Sequence, residues 1–259
     1  MTTKISLLAA SLFLPVFISA QNVIPEPAQY CPAKGEFVLS IAEKKVLEIN
    51  NVLPSRVVQR ITPDCAMGAD EAYRLEITPD SVFIQSATVT GAFRGEETLK
   101  QLLRSGKGTT SACVINDAPR YSWRGFMLDE SRHFFGKEKV KQLLDIMASL
   151  RLNVFHWHLT DEPGWRIEIK KYPLLTKVGS KGNYHDPSSP AAFYTQEDIK
   201  DIVAYAAARH IMIVPEFDMP GHATAACRAY PELSGGGEGR WKDFTFHPCK
   251  EETFRFISD

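Results

Sequence analysis

Three groups of charged and imidazole side chains recur along the second half of the chain: Asp129, Arg132 and His133; then His156, His158, Asp161 and Glu162; then Glu216, Asp218 and His222. Carboxylates beside imidazoles can relay a proton or bind a metal ion, and an arginine adds a rigid fork of donors for hydroxyls or anions. Each group lies at the end of a short apolar run that reads as a strand, over residues 123–128, 153–159 and 211–217. One such group is easily explained as capping of the next helix. Three in succession point to a site, because desolvating so many ionisable groups requires mutual pairing or a ligand.

The elements between the groups are helical. Val140, Leu143, Leu144, Met147 and Leu150 lie at helical spacing over residues 137–150, and Thr195 with Asp198 forms a capping box ahead of Ile199, Ile202, Val203 and Ala206. The run 211–217 is almost continuously apolar, which predicts a parallel strand buried on both faces. Strand, polar loop and helix in series give a parallel α/β architecture, either doubly wound or a barrel. Parallel strands bring their C-terminal ends to one face, where α/β barrels build active sites. The absence of a Gly-rich phosphate fingerprint after the first strand argues against a dinucleotide fold.

His156 and His158 are two apart on a strand and point to one side. Joined by Asp161 and His222 they would form the ligand set of a metal-dependent amidohydrolase. The alternative is packed histidines that satisfy one another or a nearby carboxylate. Residues 165–173 read as an amphipathic surface segment, and Trp123 and Trp241 as packing residues rather than sugar platforms. No serine nucleophile elbow or reactive cysteine motif occurs.

With 30 Lys+Arg against 31 Asp+Glu in 259 residues and no basic run, the chain lacks the electrostatic footprint of a nucleic-acid or anionic-membrane binder. Lys4, the apolar stretch 5–18 and Ser19-Ala20 read as a signal peptide over residues 1–20, so the protein is expected to be exported, periplasmic or extracellular. Pro15 and the shortness of the stretch argue against a membrane span. Residues 21–118 carry β-rich runs at 37–41, 73–77 and 81–84 and a helix at 96–105 bracketed by Gly95 and Gly106, which predicts a small α+β domain. Asn116-Asp117-Ala118-Pro119 reads as the linker to residues 119–259. The five cysteines, Cys31, Cys65, Cys113, Cys227 and Cys249, match no zinc pattern. Cys227 and Cys249 either bridge the Gly-rich loop between them or are separate thiols. On these grounds alone the chain is an exported α/β hydrolase or a carbohydrate-binding domain.

Longer motifs narrow the choice. Trp123-Arg124-Gly125-Phe126-Met127-Leu128-Asp129-Glu130-Ser131-Arg132-His133-Phe134-Phe135 resembles the opening of the catalytic barrel of glycoside hydrolase family 20, the β-N-acetylhexosaminidases. In order and spacing, Leu152-Asn153-Val154-Phe155-His156-Trp157-His158-Leu159-Thr160-Asp161, Gly164-Trp165-Arg166-Ile167-Glu168 and Pro215-Glu216-Phe217-Asp218-Met219-Pro220-Gly221-His222 resemble the motifs that follow. A looser resemblance, from Gly91 to Leu103, is to the end of the family's accessory α+β domain.

The resemblance implies the first three βα units of a (β/α)8 TIM barrel over residues 119–259. It implies retaining hydrolysis of terminal β-linked N-acetylglucosamine or N-acetylgalactosamine, with a carbohydrate as partner and no metal or organic cofactor. In that chemistry the substrate's own 2-acetamido oxygen attacks the anomeric carbon. By the same resemblance Arg132 grips the sugar hydroxyls, Asp161 and His222 support the general acid, and Asp218 has a structural role behind them. Glu162 stands where the family more often has Asp. The family's catalytic Asp-Glu pair follows a fourth strand, in a Gly-Asp-Glu-like motif that does not occur up to Asp259. The 259 residues are therefore expected to be the N-terminal part of a longer enzyme, inactive alone, with the apolar edge strand 211–217 left unpaired.

Overall fold

The computed structural model describes residues 23–63 and 70–259, so the signal-peptide reading and Cys65 lie outside the described residues. The first half builds a five-stranded sheet from β1 (Gln29–Val38), β2 (Val57–Ile61), β3 (Tyr73–Ile77), β4 (Val82–Ser86) and β5 (Thr109–Asp117), in the order β1-β5-β3-β4-β2. β2 runs parallel to β4, and the other pairs are antiparallel. Burial alternates along β3 and β4, putting Tyr73, Leu75, Ile77, Val82 and Ile84 into one core with Leu99, Leu102 and Leu103 of helix α2 (Val89–Ser105).

Local chemistry moves three expected boundaries. The run 37–41 is not one strand: β1 ends at Val38 because Ser40 caps helix α1 (Ile41–Asn50), its hydroxyl accepting from the Glu43 amide while Glu43 accepts from the Ser40 amide. Gly95 does not bracket a helix but sits inside α2. A Cβ there would lie 2.7 Å from Ile84 Cγ2, so only glycine lets the helix approach β4 this closely. Asn116 and Asp117, expected in a linker, close β5 opposite Arg74 and Tyr73.

The second half forms a parallel sheet of β6 (Gly125–Asp129), β7 (Val154–Thr160) and β8 (Met212–Phe217), with β7 central. Helices α3 (Lys137–Ser149) and α5 (Gln196–Ala207) cover one face, where Val140, Leu144, Met147, Phe155, Trp157 and Ile202 pack, and α4 (Leu174–Lys177) lies between them in the chain. The Thr195–Asp198 capping box opens α5 as expected. β8 is not buried on both faces. It is a sheet edge with Met212 53% exposed, and Phe126 and Met127 are likewise exposed on β6, the opposite edge.

Beyond β7, Trp165 and Arg166 are buried, not on an amphipathic surface. Trp165 packs against Phe217 and against Phe256 of α7 (Glu251–Ser258). Cys227, buried in α6 (Thr224–Ala229), and exposed Cys249 are both free. Hydrogen bonds hold the loop between them instead, from Ser234 Oγ to Asp243 at 2.6 Å and from the Gly235 amide to the Thr245 carbonyl at 2.8 Å. Among the described residues no helix is long and apolar enough to cross a membrane.

Glu71 ties the two sheets together. Its Oε2 accepts from Arg94 Nε of α2 at 2.7 Å and from Arg124 Nη2 at 2.5 Å, and its Oε1 from Asn153 Nδ2 at 3.1 Å. Arg94 continues to the His210 carbonyl at 2.9 Å. Burial alone would raise the Glu71 carboxyl, but hydrogen bonds from Arg124 and Arg94 hold it below its ordinary value. The tie is therefore fully formed above the ordinary glutamate pKa of about 4.3 and is lost as pH falls through the lower folded value. Glu71→Gln is expected to cost on the order of 3 kcal/mol at neutral pH, leaving buried Arg94 and half-buried Arg124 uncompensated. It should also flatten the acid limb of a stability profile measured by urea unfolding between pH 7 and pH 3.

Candidate active site

The site begins where β6 ends. Asp129 Oδ1 accepts from the amides of Ser131 and Arg132, both at 3.0 Å, so the carboxylate folds the turn that launches Arg132. Its Oδ2 then meets Arg132 Nη1 at 2.6 Å, while Nη2 reaches Asp161 Oδ2 at the end of β7, also at 2.6 Å. The Asp161 side chain is wholly buried and its Oδ1 accepts from His222 Nδ1 at 2.9 Å and from the Glu162 amide at 2.6 Å. His222 follows β8, has a left-handed backbone at φ 53° and is braced edge-on by Phe244 with ring centroids 4.9 Å apart. The ends of β6, β7 and β8 thus assemble one chain of contacts, Asp129–Arg132–Asp161–His222.

The chemistry follows from donor and acceptor roles. Arg132 can only donate; burial works against its charge, but Asp129 and Asp161 raise its pKa above the ordinary value, so it stays cationic. Its side chain is 38% exposed, which leaves part of the guanidinium fork free for a ligand's hydroxyls. Asp161 accepts at Nδ1 of His222, fixing the proton there and leaving Nε2 open toward a reacting group, the arrangement by which a carboxylate orients a histidine for acid–base work.

Other expected residues fall differently. Asp218 is tied to β7 through its amide, which donates to Thr160 Oγ1 at 2.9 Å, and its carboxylate lies 3.9 Å from His158 Nε2. Buried His158 donates from Nε2 to the Thr160 carbonyl at 2.9 Å. His156 does not join the group; its Nε2 lies 2.5 Å from Glu216 Oε2. His133 stacks edge-on against Phe135. Glu162 Oε1 stands 3.6 Å from His222 Nδ1.

The set His156, His158, Asp161 and His222 is therefore not assembled as metal ligands. Among the described residues, the groupings that do bring ligand atoms within 4.8 Å of one another are His158 with Asp161 and Asp218, and Asp161 with Glu162 and His222. Both depend on Asp161, whose Oδ2 already faces the Arg132 cation at 2.6 Å, a charge that a divalent ion would have to displace. The donor set fits an organic, hydroxyl-bearing ligand better than a resident metal.

Two residues escape a reading of sequence pattern alone. Buried Glu130 accepts from the Phe135 amide at 2.8 Å and from Tyr194 Oη at 2.7 Å, and Arg166 is buried among backbone carbonyls. Charged residues in a loop look solvated; the one local signal was Gly164 beside Arg166, because a Cβ on Gly164 would lie 2.2 Å from the Arg166 Cζ.

Parallel βα units with an arginine, a buried carboxylate and an oriented histidine at their C-terminal ends define an α/β protein with a hydrolase-like site. Residues 121–259 match the model of the glycosyl hydrolase family 20 catalytic domain and residues 55–118 that of glycosyl hydrolase family 20, domain 2, and the chain belongs to this family. It is 42% identical over 207 residues to a beta-hexosaminidase of Porphyromonas gingivalis, covering 73% of this chain and 26% of the relative. It is 40% identical over 220 residues to a beta-hexosaminidase of Vibrio furnissii, covering 78% of this chain and 36% of the relative. The Streptomyces plicatus N-acetyl-beta-hexosaminidase solved with Thio-NAglucal superposes with a TM-score of 0.79 at 32% identity over 91% of this chain and 55% of that one. The beta-N-acetylhexosaminidase of Bacteroides fragilis gives a TM-score of 0.77 at 32% identity over 92% and 52%. The chain thus spans about a quarter to a third of the length of these two curated relatives and about half of these two solved chains.

Proposed function

We propose that the whole protein is an exported, retaining β-N-acetylhexosaminidase that releases terminal non-reducing N-acetylhexosamine from glycans. The observation that carries this reading is the Arg132–Asp161–His222 chain, with contacts of 2.6 and 2.9 Å, at the C-terminal ends of parallel strands in a family 20 chain. On this reading residues 119–259 supply the first three βα units of a (β/α)8 barrel, residues 21–118 an accessory α+β domain, and residues 1–20 a signal peptide that sends the enzyme to the periplasm or beyond.

In the reaction the 2-acetamido oxygen attacks the anomeric carbon as the glycosidic oxygen leaves with a proton from a general acid, and water then opens the oxazolinium intermediate. Arg132 holds sugar hydroxyls in the ground and transition states. Asp161 and His222 orient and tune the general acid, and Asp218 braces β8 against β7 behind them. The acid itself and the carboxylate that orients the acetamido group are not among the residues of this cluster.

The second reading, a metal-dependent amidohydrolase, would have to rest on the grouping of His158, Asp161 and Asp218, with Arg132 displaced from Asp161. A chromogenic N-acetylglucosaminide assay on the intact protein, with and without chelator, separates the two. Turnover that survives chelation is expected; turnover abolished by chelator and restored by zinc would overturn the metal-free reading, and binding without turnover would indicate a non-catalytic relative.

A further inference from the structure

Arg166 has no carboxylate within hydrogen-bond reach among its described contacts, yet it is one of the most deeply buried side chains of the protein. Its donors go to five backbone carbonyls instead. Nε reaches Glu130 at 3.1 Å, Nη2 reaches Ser131 and Gly182, both at 2.7 Å, and Nη1 reaches Ser180 at 2.6 Å and Ala192 at 3.2 Å. Two of these carbonyls belong to the residues immediately before Arg132. Two others belong to the 180–182 segment, which leads directly to Tyr184, whose amide donates to the Arg132 carbonyl at 3.1 Å. The Glu130 carboxylate pins the other end of the same loop through the Phe135 amide.

We infer that Arg166 is the positioning residue for Arg132: its guanidinium locks the two residues before Arg132 and the 180–182 segment whose continuation, Tyr184, holds the Arg132 carbonyl, so that the exposed fork meets Asp161 and the sugar in one geometry. The inference rests on the sugar-binding reading of Arg132 given above. A buried cation paired only with carbonyls is costly, and burial holds the Arg166 pKa down to about 10 despite the Glu130 charge nearby. Apolar packing would fill the space with less penalty, so what the cation adds is directional: five donors in a rigid plane fix three loops relative to one another, which neither lysine nor an apolar residue can do. Gly164 belongs to the same device, because any side chain there would occupy the place of the guanidinium carbon.

The test uses the intact protein, with KM for a chromogenic N-acetylglucosaminide and Kd for N-acetylglucosamine. The variants are Arg166→Lys, Gly164→Ala, Arg132→Ala and the double variant Arg132→Ala/Arg166→Lys. Arg166→Lys keeps the charge but not the span; KM and Kd are expected to rise about tenfold while kcat changes less than about threefold. Gly164→Ala should shift both in the same direction. The double variant should bind no more weakly than Arg132→Ala alone, because a residue acting through Arg132 has nothing left to act on.

Unchanged KM and Kd in folded Arg166→Lys, or losses that multiply in the double variant, would overturn the inference, since a purely structural arginine lowers stability without moving the substrate terms. If Arg166→Lys does not fold, Gly164→Ala measured alone and combined with Arg132→Ala decides by the same criteria. Full affinity in Arg132→Ala is a different result: it overturns the sugar-binding reading itself, and is recognised because the single Arg132 variant already shows it.

Discussion

Arg132→Ala is expected to weaken binding of N-acetylglucosamine to the intact protein about 100-fold. The estimate corresponds to two charge-assisted hydrogen bonds to sugar hydroxyls at the low end of their range, on the order of 1.5 kcal/mol each. Two of the side chain's donor nitrogens already face Asp129 and Asp161 at 2.6 Å, so the guanidinium is held before any ligand arrives and loses little freedom on binding. Arg132→Lys should rescue little of the loss, because one ammonium cannot span both carboxylates and still present a donor outward. Truncation also removes the cation beside the wholly buried Asp161, so a fall in thermal stability should accompany the loss of affinity. Titration calorimetry with N-acetylglucosamine reads the first effect and calorimetric unfolding the second. Affinity retained within about threefold in a folded variant would remove Arg132 from the sugar site.

Much of the frame that aims Arg132 was legible before any coordinates. Apolar runs bounded by polar turns located β6, β7 and β8, helical spacing located α3, and the Thr195–Asp198 capping box marked the start of α5, because these signals are local and each is repeated over several residues. The convergence of Asp129, Arg132, Asp161 and His222 followed from one further fact, that parallel strands end on the same side. Distance was not legible. His156 and His158 do point to one side of β7, but two residues of strand separate them by about 6.6 Å. That is enough to carry His156 away from Asp161 and onto Glu216.

Burial was not legible either wherever it depends on a partner distant in sequence. Arg166 looked solvated in its own segment because the carbonyls that satisfy it come from Glu130, Ser131, Ser180, Gly182 and Ala192. Gly95 looked like a helix boundary because its reason for being glycine is Ile84 on a neighbouring strand. In β8 the apolar composition spoke for two covered faces, whereas face coverage depends on which helices pack over the strand; its place at the sheet edge is the one expected for 211–217.

Asp161→Asn is expected to have the larger effect on turnover, lowering kcat by about 10² to 10⁴ while KM changes far less. The substitution keeps shape and changes one donor pattern. Asp161 uses its two oxygens differently: Oδ2 is ion-paired with Arg132 Nη2 at 2.6 Å, and Oδ1 accepts from His222 Nδ1 at 2.9 Å and from the Glu162 amide at 2.6 Å. An asparagine must turn its NH2 toward one side. Facing the Arg132 cation with a donor is the costlier choice, so the amide oxygen takes the Arg132 side and the NH2 faces His222, giving up the bond from the Glu162 amide. Nδ1 of His222 then has to accept, the imidazole proton moves to Nε2, and the histidine presents a donor where it had presented a lone pair. Sugar binding through Arg132 survives, whereas the orientation and protonation of the general acid do not. His222→Ala should produce a similar fall in kcat, and the double variant should be no slower than the slower single one, because the two residues act as a unit. The pH–rate profile of each variant should lose the wild-type shape in the same way. A kcat within about threefold of wild type in Asp161→Asn, or single losses that multiply in the double variant, would mean that the Asp161–His222 contact braces the strand ends and takes no part in the proton transfer.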